Sequence, residues 1–185
     1  MIIEMSTRYI HEEGAEIHEV HSFVVHEDYN KIIPFYADIA LIFVKEPIKF
    51  GARKKKALLA SNDDWMKKTN NDIVAIGWGL TKYGGQISKL GLLRTNLRYV
   101  ARRKCEKLHK LKLTDDMFCL YGDGSRDTCK GDSGGGVVWN RTVIGIVSHG
   151  EGCAKKNKPS IYISVSFYRK WIEKTVTEFF KVYCS

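Results

Sequence analysis

Long apolar runs are missing from this sequence: nothing in it approaches the ~18 residues that suggest a membrane span, so no membrane partner is expected. Proline is scarce, with three in 185 residues, which excludes a proline-rich linker or a collagen-like repeat. There is no internal repeat and no low-complexity tract. Acidic residues are the minority, 21 against 30 Lys and Arg, for a net charge of +9. The basic excess clusters at 53–56 and 102–112. Such charge ordinarily keeps a protein soluble. The clusters lack interleaved aromatics or a recognition motif, so nucleic acid is not an expected partner; heparin or another anionic surface fits somewhat better. Hydrophobic residues at 44% and aromatics at 11% are too much apolar bulk for a disordered chain. This length suits one soluble globular domain that buries roughly 70% of its unfolded surface.

Cysteine is present in an odd number, five. Neither the Cys105 and Cys119 spacing nor that of Cys129 and Cys153 is a metal-ligand knuckle such as C-x-x-C, so no metal is expected. Two local disulfides, Cys105–Cys119 and Cys129–Cys153, are the natural reading, and they imply an oxidising compartment. Cys184 is then left over. A sequon at Asn140-Arg141-Thr142 adds a weak hint of secretion. The opening Met1-Ile2-Ile3-Glu4-Met5-Ser6 has neither the basic start nor the apolar segment of a secretory signal. Together these predict an extracellular protein whose natural start lies upstream of Met1.

Short β-like runs dominate the rest. Strands are expected at 16–25, 38–44, 72–76, 134–139, 143–147 and 160–165, bounded by Gly, Asp and Asn turn signals. The last element differs: Tyr168, Trp171, Ile172, Val176, Phe179 and Phe180 recur at three-to-four spacing, an amphipathic helix with one buried stripe. An all-β barrel or sandwich closed by a C-terminal helix fits this pattern.

The chemistry sits in Asp127-Thr128-Cys129-Lys130-Gly131-Asp132-Ser133-Gly134-Gly135-Gly136. A serine among glycines exposes its hydroxyl, and the surrounding backbone N–H groups can converge on one point, as a nucleophile beside an oxyanion hole requires. Alone, this could be a glycine-rich turn. It stands in company, however: His26-Glu27-Asp28-Tyr29-Asn30, Asp38-Ile39-Ala40-Leu41-Ile42, Gly77-Trp78-Gly79, Met117-Phe118-Cys119, Gly145-Ile146-Val147-Ser148, Cys153-Ala154, Pro159 and Trp171-Ile172. In this order, and over nearly all of the chain, these pieces resemble the trypsin-like (chymotrypsin-fold, S1) serine endopeptidases.

The resemblance implies an all-β fold of two antiparallel six-stranded Greek-key barrels with the site between them, followed by a C-terminal helix. On that template 1–185 is a single peptidase domain. Residues 1–75 are what remains of an incomplete N-terminal barrel, and 76–185 are the C-terminal barrel plus helix. Ser133 becomes the nucleophile, and Asp38 the buried carboxylate that orients a histidine. The Gly131 and Ser133 N–H groups form the oxyanion hole. Asp127 floors the primary specificity pocket, favouring Lys or Arg, with Ser148, Gly150 and Ser160 lining it. Protein or peptide substrates and protease inhibitors are the implied partners; no cofactor or metal is implied.

The departures from the family pattern matter as much. No Ala-Ala-His-Cys-type segment supplies the general-base histidine, since Met1–Tyr9 already resembles the strand that follows it. The Ile-Val-Gly-Gly-like start is absent, so Asp132 lacks its α-amino partner. The chain as given is therefore expected to be inactive, with a non-catalytic binding or decoy module as the competing reading. His26 matches a turn histidine of the family, not its base. His149 replaces the usual tryptophan and is expected to line the cleft without a partner to orient it. Ser160 replaces glycine, narrowing the pocket toward Lys, and Gly136 replaces proline. Apolar strand faces such as 39–43 are expected at an open edge, which favours self-association.

Overall fold

A computed structural model describes residues 1–68, 72–87 and 89–183. Cys184 lies outside the described residues. Six strands close into a barrel: β5 (Ile73–Gly77), β6 (Leu93–Val100), β7 (Met117–Tyr121), β8 (Gly136–Trp139), β9 (Thr142–His149) and β10 (Ser160–Ser164). They pair antiparallel in the order β10-β7-β6-β5-β8-β9, and β9 joins β10 to complete the ring. Closure leaves these strands without free edges. The expected boundary at 75/76 falls inside β5. A two-residue strand, β4 (Leu58–Leu59), lies parallel to β9, a pairing that the antiparallel expectation did not include.

Strand periodicity explains how one ring serves two cores. Phe118 and Leu120 of β7, with Tyr162 of β10, point into the barrel beside Ile73, Ala75, Leu97, Val137 and Ile144. Their alternates, Met117, Cys119, Ile161 and Ile163, point outward into a second cluster with Cys105, Tyr168, Ala37 and Ile39. Both faces of β7 and β10 are thus buried, and the apolar run of β7 reflects it.

The N-terminal part forms a separate antiparallel sheet of three strands, β1 (Ile2–Met5), β2 (Glu16–Val25) and β3 (Ala40–Val44). The strand expected from 38 starts at Ala40, because Ile39 is buried in the second core cluster. β3 pairs only with β2 and lies at the edge of this sheet, as expected for 39–43, though two of its apolar residues are covered. Ile39 is buried and Phe43 stacks on Phe179 at 3.8 Å, whereas Ile42 remains 50% exposed, as does Phe23 at 60%.

Two α-helices flank the barrel. The expected C-terminal one is α2 (Arg169–Tyr183). The other, α1 (Arg102–His109), was not anticipated, because its sequence is mostly charge and offers only a narrow stripe, Cys105 and His109 four residues apart, to bury. The Cys105–Cys119 disulfide fastens α1 to β7, and Cys129–Cys153 forms as expected.

Asp116 locks these parts together. It is fully buried at 0% exposure; its Oδ2 accepts from the Ala37 N–H (3.0 Å) and the Tyr168 hydroxyl (2.8 Å). Burial and this contact push the Tyr168 hydroxyl pKa far upward, so it remains a donor. Replacing Asp116 with alanine strands two buried donors at once. We expect Asp116→Ala to cost about 2–4 kcal/mol in urea unfolding, with an unchanged stability counting against this role.

Candidate active site

Asp38 stands one residue beyond Ala37, whose N–H is held by Asp116, and next to the buried Ile39. This anchoring brings the Asp38 carboxylate to the end of β9, where the Ser148 hydroxyl donates to Oδ2 at 2.7 Å. The same Ser148 Oγ lies 3.0 Å from Nδ1 of His149. With its proton committed to Asp38, Ser148 accepts from His149, which fixes the imidazole proton on Nδ1. Phe35 stacks on the His149 ring with centroids 4.2 Å apart. The expectation that His149 lacks an orienting partner is thus incorrect: Ser148 and Phe35 both hold it. Burial drives the His149 pKa below its usual value, opposed by the nearby Asp38, so the ring is neutral at pH 7.

Ser133 lines a cleft of about 330 Å³ together with Phe35, Ser148, His149, Gly150, Ser160 and the Cys129–Cys153 bridge. Its side chain is exposed and makes no hydrogen bond with any described residue. The 129–135 loop that presents it is tightly determined. The Asp132 N–H donates to the Cys129 carbonyl, the Gly135 N–H to the Asp132 carbonyl, and the Gly134 N–H to the Val147 carbonyl of β9. Gly131 and Gly134 adopt φ of +94° and +80°, the left-handed region that glycine enters freely. The N–H groups of Gly131 and Ser133 engage no described residue and remain available to an anion.

Asp132 has other partners than an α-amino group. Its Oδ1 accepts from the Gly79 N–H (2.8 Å) and its Oδ2 from the Cys129 N–H (2.9 Å). A Cβ on either Gly77 or Gly79 would overlap this carboxylate, which is the physical reason for glycine on both sides of Trp78.

Asp127 stands beside the Ser133 cleft. It lines an adjoining cavity of about 240 Å³ with Asp132, Gly77, Leu80, Arg94 and Ala154. Ser160, from the start of β10, stands between the two spaces: it lines the Ser133 cleft while its hydroxyl donates to Asp127 Oδ2 at 2.9 Å. The Ala154 N–H shares that oxygen (3.0 Å), and the Thr128 N–H takes Oδ1 (2.8 Å). Desolvation raises the Asp127 pKa above the usual carboxylate range despite these three donors. A Cβ at Gly150 would sit 3.0 Å from Ser160 Oγ, so glycine there leaves the Ser160 hydroxyl room to reach Asp127.

The structure therefore brings Ser133, Ser148, Gly150 and Ser160 into one cleft, ties Asp38 to it through Ser148, and ties Asp127 to it through Ser160. His26 lies elsewhere, packed against Tyr168 and Trp171. Phe35 and Asp116 were missed by sequence reasoning. Phe35 sits in a loop without periodicity, and nothing in Asp115-Asp116 distinguishes a buried carboxyl from an exposed one.

Comparison with known proteins agrees with this geometry. The trypsin family model matches residues 2–172. The chain is similar to trypsin epsilon of Drosophila erecta, 32% identical over 89% of this chain and 64% of that protein. It is also similar to trypsin V-A of Rattus norvegicus, 33% identical over 90% of this chain and 66% of that protein. Hypodermin-B of Hypoderma lineatum is 32% identical over 96% of this chain. Among solved structures, neuropsin, a serine protease expressed in the limbic system of mouse brain, superposes with a TM-score of 0.82 at 27% identity, covering 95% of this chain and 78% of that one. The chain spans about 64–66% of the length of the first two of these relatives. A closed six-stranded barrel with a second sheet, a serine presented on a glycine loop, and a family match over almost every residue place this chain in the trypsin family of serine proteases.

Proposed function

We propose that this chain carries the nucleophile, oxyanion and specificity elements of a secreted, trypsin-like endopeptidase that cleaves after Lys or Arg. The observation that carries the reading is that Ser133, Ser148 and Ser160 line one cleft while the Ser148 hydroxyl donates to Asp38 and the Ser160 hydroxyl to Asp127. In this reading Ser133 Oγ attacks the scissile carbonyl, and the Gly131 and Ser133 N–H groups stabilise the oxyanion. Asp38, held by the Ser148 hydroxyl, is the carboxylate suited to orient a general-base histidine and stabilise its charged form. Asp127 binds the substrate's cation, with Ser148 and Gly150 along the approach. The two disulfides support an extracellular location. Peptides, proteins and protease inhibitors are the partners that fit the cleft.

The test is an assay of the full-length protein on a peptide panel. We expect cleavage after Lys and Arg that Ser133→Ala abolishes; an unselective or absent cleavage overturns the reading.

Ser160 sets a finer preference. A cation entering from the Ser133 cleft meets the Ser160 hydroxyl before Asp127, so the slimmer Lys passes more easily than Arg. Removing that hydroxyl with Ser160→Gly should raise the Arg-to-Lys ratio of kcat/KM by about tenfold or more, a methylene-scale steric effect. An unchanged ratio would place the constriction elsewhere.

A second reading has its own observation. Of the six histidines, only His149 lines the Ser133 cleft, and its Nδ1 is held by Ser148. A cleft whose serine meets no base suits a non-catalytic module that binds peptides without cutting them.

A further inference from the structure

α1 exposes a one-signed surface. Arg103, Lys107 and Lys110 recur at helical spacing on its outer side, with Lys104 beside them and Lys112 just beyond, while Cys105 and His109 face inward. All five cations are exposed, and none forms an ion pair with a described residue. The neighbouring acids are committed: Glu106 accepts from the Leu113 N–H, and Asp115 faces Arg102 at 3.6 Å. Like charges four residues apart on a helix cost about 0.2–0.5 kcal/mol, and Arg103 with Lys107 is such a pair on a helix with one acid, Glu106, against five cations if Lys110 at its end is counted.

The surface continues toward the specificity pocket. His109 Nε2 donates to the Pro159 carbonyl at 2.7 Å, seating the end of α1 against the 151–159 loop. There Lys155 and Lys156 are exposed and unpaired among the described residues, while Glu151 is taken up by Lys158 at 2.8 Å. The Ala154 N–H of the same loop holds Asp127. A row of seven uncompensated cations thus ends at the pocket wall.

We propose that this face, formed by α1 and the Lys155–Lys156 turn, is a binding site for a sulfated polysaccharide. A linear polyanion relieves the self-repulsion along α1 and releases counterions as it binds. No exposed aromatic ring stands among these cations to stack a base, which disfavours a single-stranded nucleic acid. The choice of a sulfated sugar among polyanions rests on the extracellular reading above; the cation row itself does not.

The test titrates a fluorescent heparin octasaccharide into the full chain at increasing salt. The variant Arg103→Gln/Lys104→Gln/Lys107→Gln/Lys110→Gln keeps good helix formers on exposed positions, so the fold is retained. Its control, Lys49→Gln/Arg53→Gln/Lys55→Gln/Lys56→Gln, removes the same charge elsewhere. We expect the α1 variant to bind at least about tenfold more weakly, with the slope of log Kd against log salt reduced by about one for each cation withdrawn from the polyanion, and the control to bind as the parent does. Equal weakening in both variants would show diffuse attraction to net charge and overturn the site. A single-stranded DNA of equal charge, or phosphatidylserine vesicles, binding as tightly as the octasaccharide would overturn the ligand class. Neither outcome bears on whether Ser133 belongs to a protease, so failure here is distinguishable from failure of that reading.

Discussion

A fluorophosphonate probe is expected to label Ser133 of the 185-residue chain about a million-fold more slowly than it labels a complete Ser–His–Asp unit. At about 1.4 kcal/mol per tenfold, that is roughly 8 kcal/mol of transition-state stabilisation. The reason is local. Ser133 Oγ makes no hydrogen bond with any described group that could take its proton, His149 of the same cleft included. What survives without a base is the oxyanion hole and ligand binding, worth about 10³–10⁴ over water. The informative control is His149→Ala. Fast labelling of the parent chain, titrating below pH 6.5 and abolished in His149→Ala, would show that the free Nε2 of this ring serves as the base after all. Slow labelling in both proteins bears out the geometry.

Asp127→Ala is expected to weaken binding of a small aromatic amidine by roughly 30- to 4,000-fold, the 2–5 kcal/mol range for removing one partner of a buried charge pair. Isothermal titration calorimetry measures this without any catalytic turnover. The sign of the pH dependence follows from burial. Desolvation raises the Asp127 pKa in the free protein, and the nearby Asp132 adds to the rise, so the carboxylate takes up a proton at a pH above the usual 3.8. The amidinium binds only the ionised form. Affinity should therefore be full near neutrality, fall as pH drops through that raised value, and be accompanied by proton release in mildly acidic buffer. A pH-independent affinity, or one untouched by Asp127→Ala, would remove Asp127 from the specificity pocket. Ser160 sharpens the test: its hydroxyl already donates to Asp127 Oδ2 and lines the Ser133 cleft, so Ser160→Gly should bind the amidine more tightly.

Much of this was legible before any coordinates. Strands β2, β5, β8, β9 and β10 and helix α2 lie within a few residues of where the apolar runs, the turn signals and the helical periodicity place them. Both disulfides follow from spacing. Legibility stops where burial depends on partners distant in sequence. Helix α1 shows no broad apolar stripe, since two residues and a disulfide suffice to hold it. Strand β3 begins later than its apolar run because Ile39 belongs to a cluster built by β7, β10 and α2. Asp116, the carboxyl that fixes both Ala37 and Tyr168, is indistinguishable in sequence from its exposed neighbour Asp115.

The sequence by itself determined the family, the glycine loop that carries Ser133, the acidic residues beside it and the two covalent bridges, since each depends on residue type at short range. Only the tertiary structure decided how those groups face one another. It turned Asp127 toward a second cavity with Ser160 in between, and it gave His149 a partner in Ser148 and a stacking ring in Phe35. Hydrogen bonds between residues tens of positions apart are set by how β9 and β10 close the barrel, and that closure is a property of the whole ring of strands.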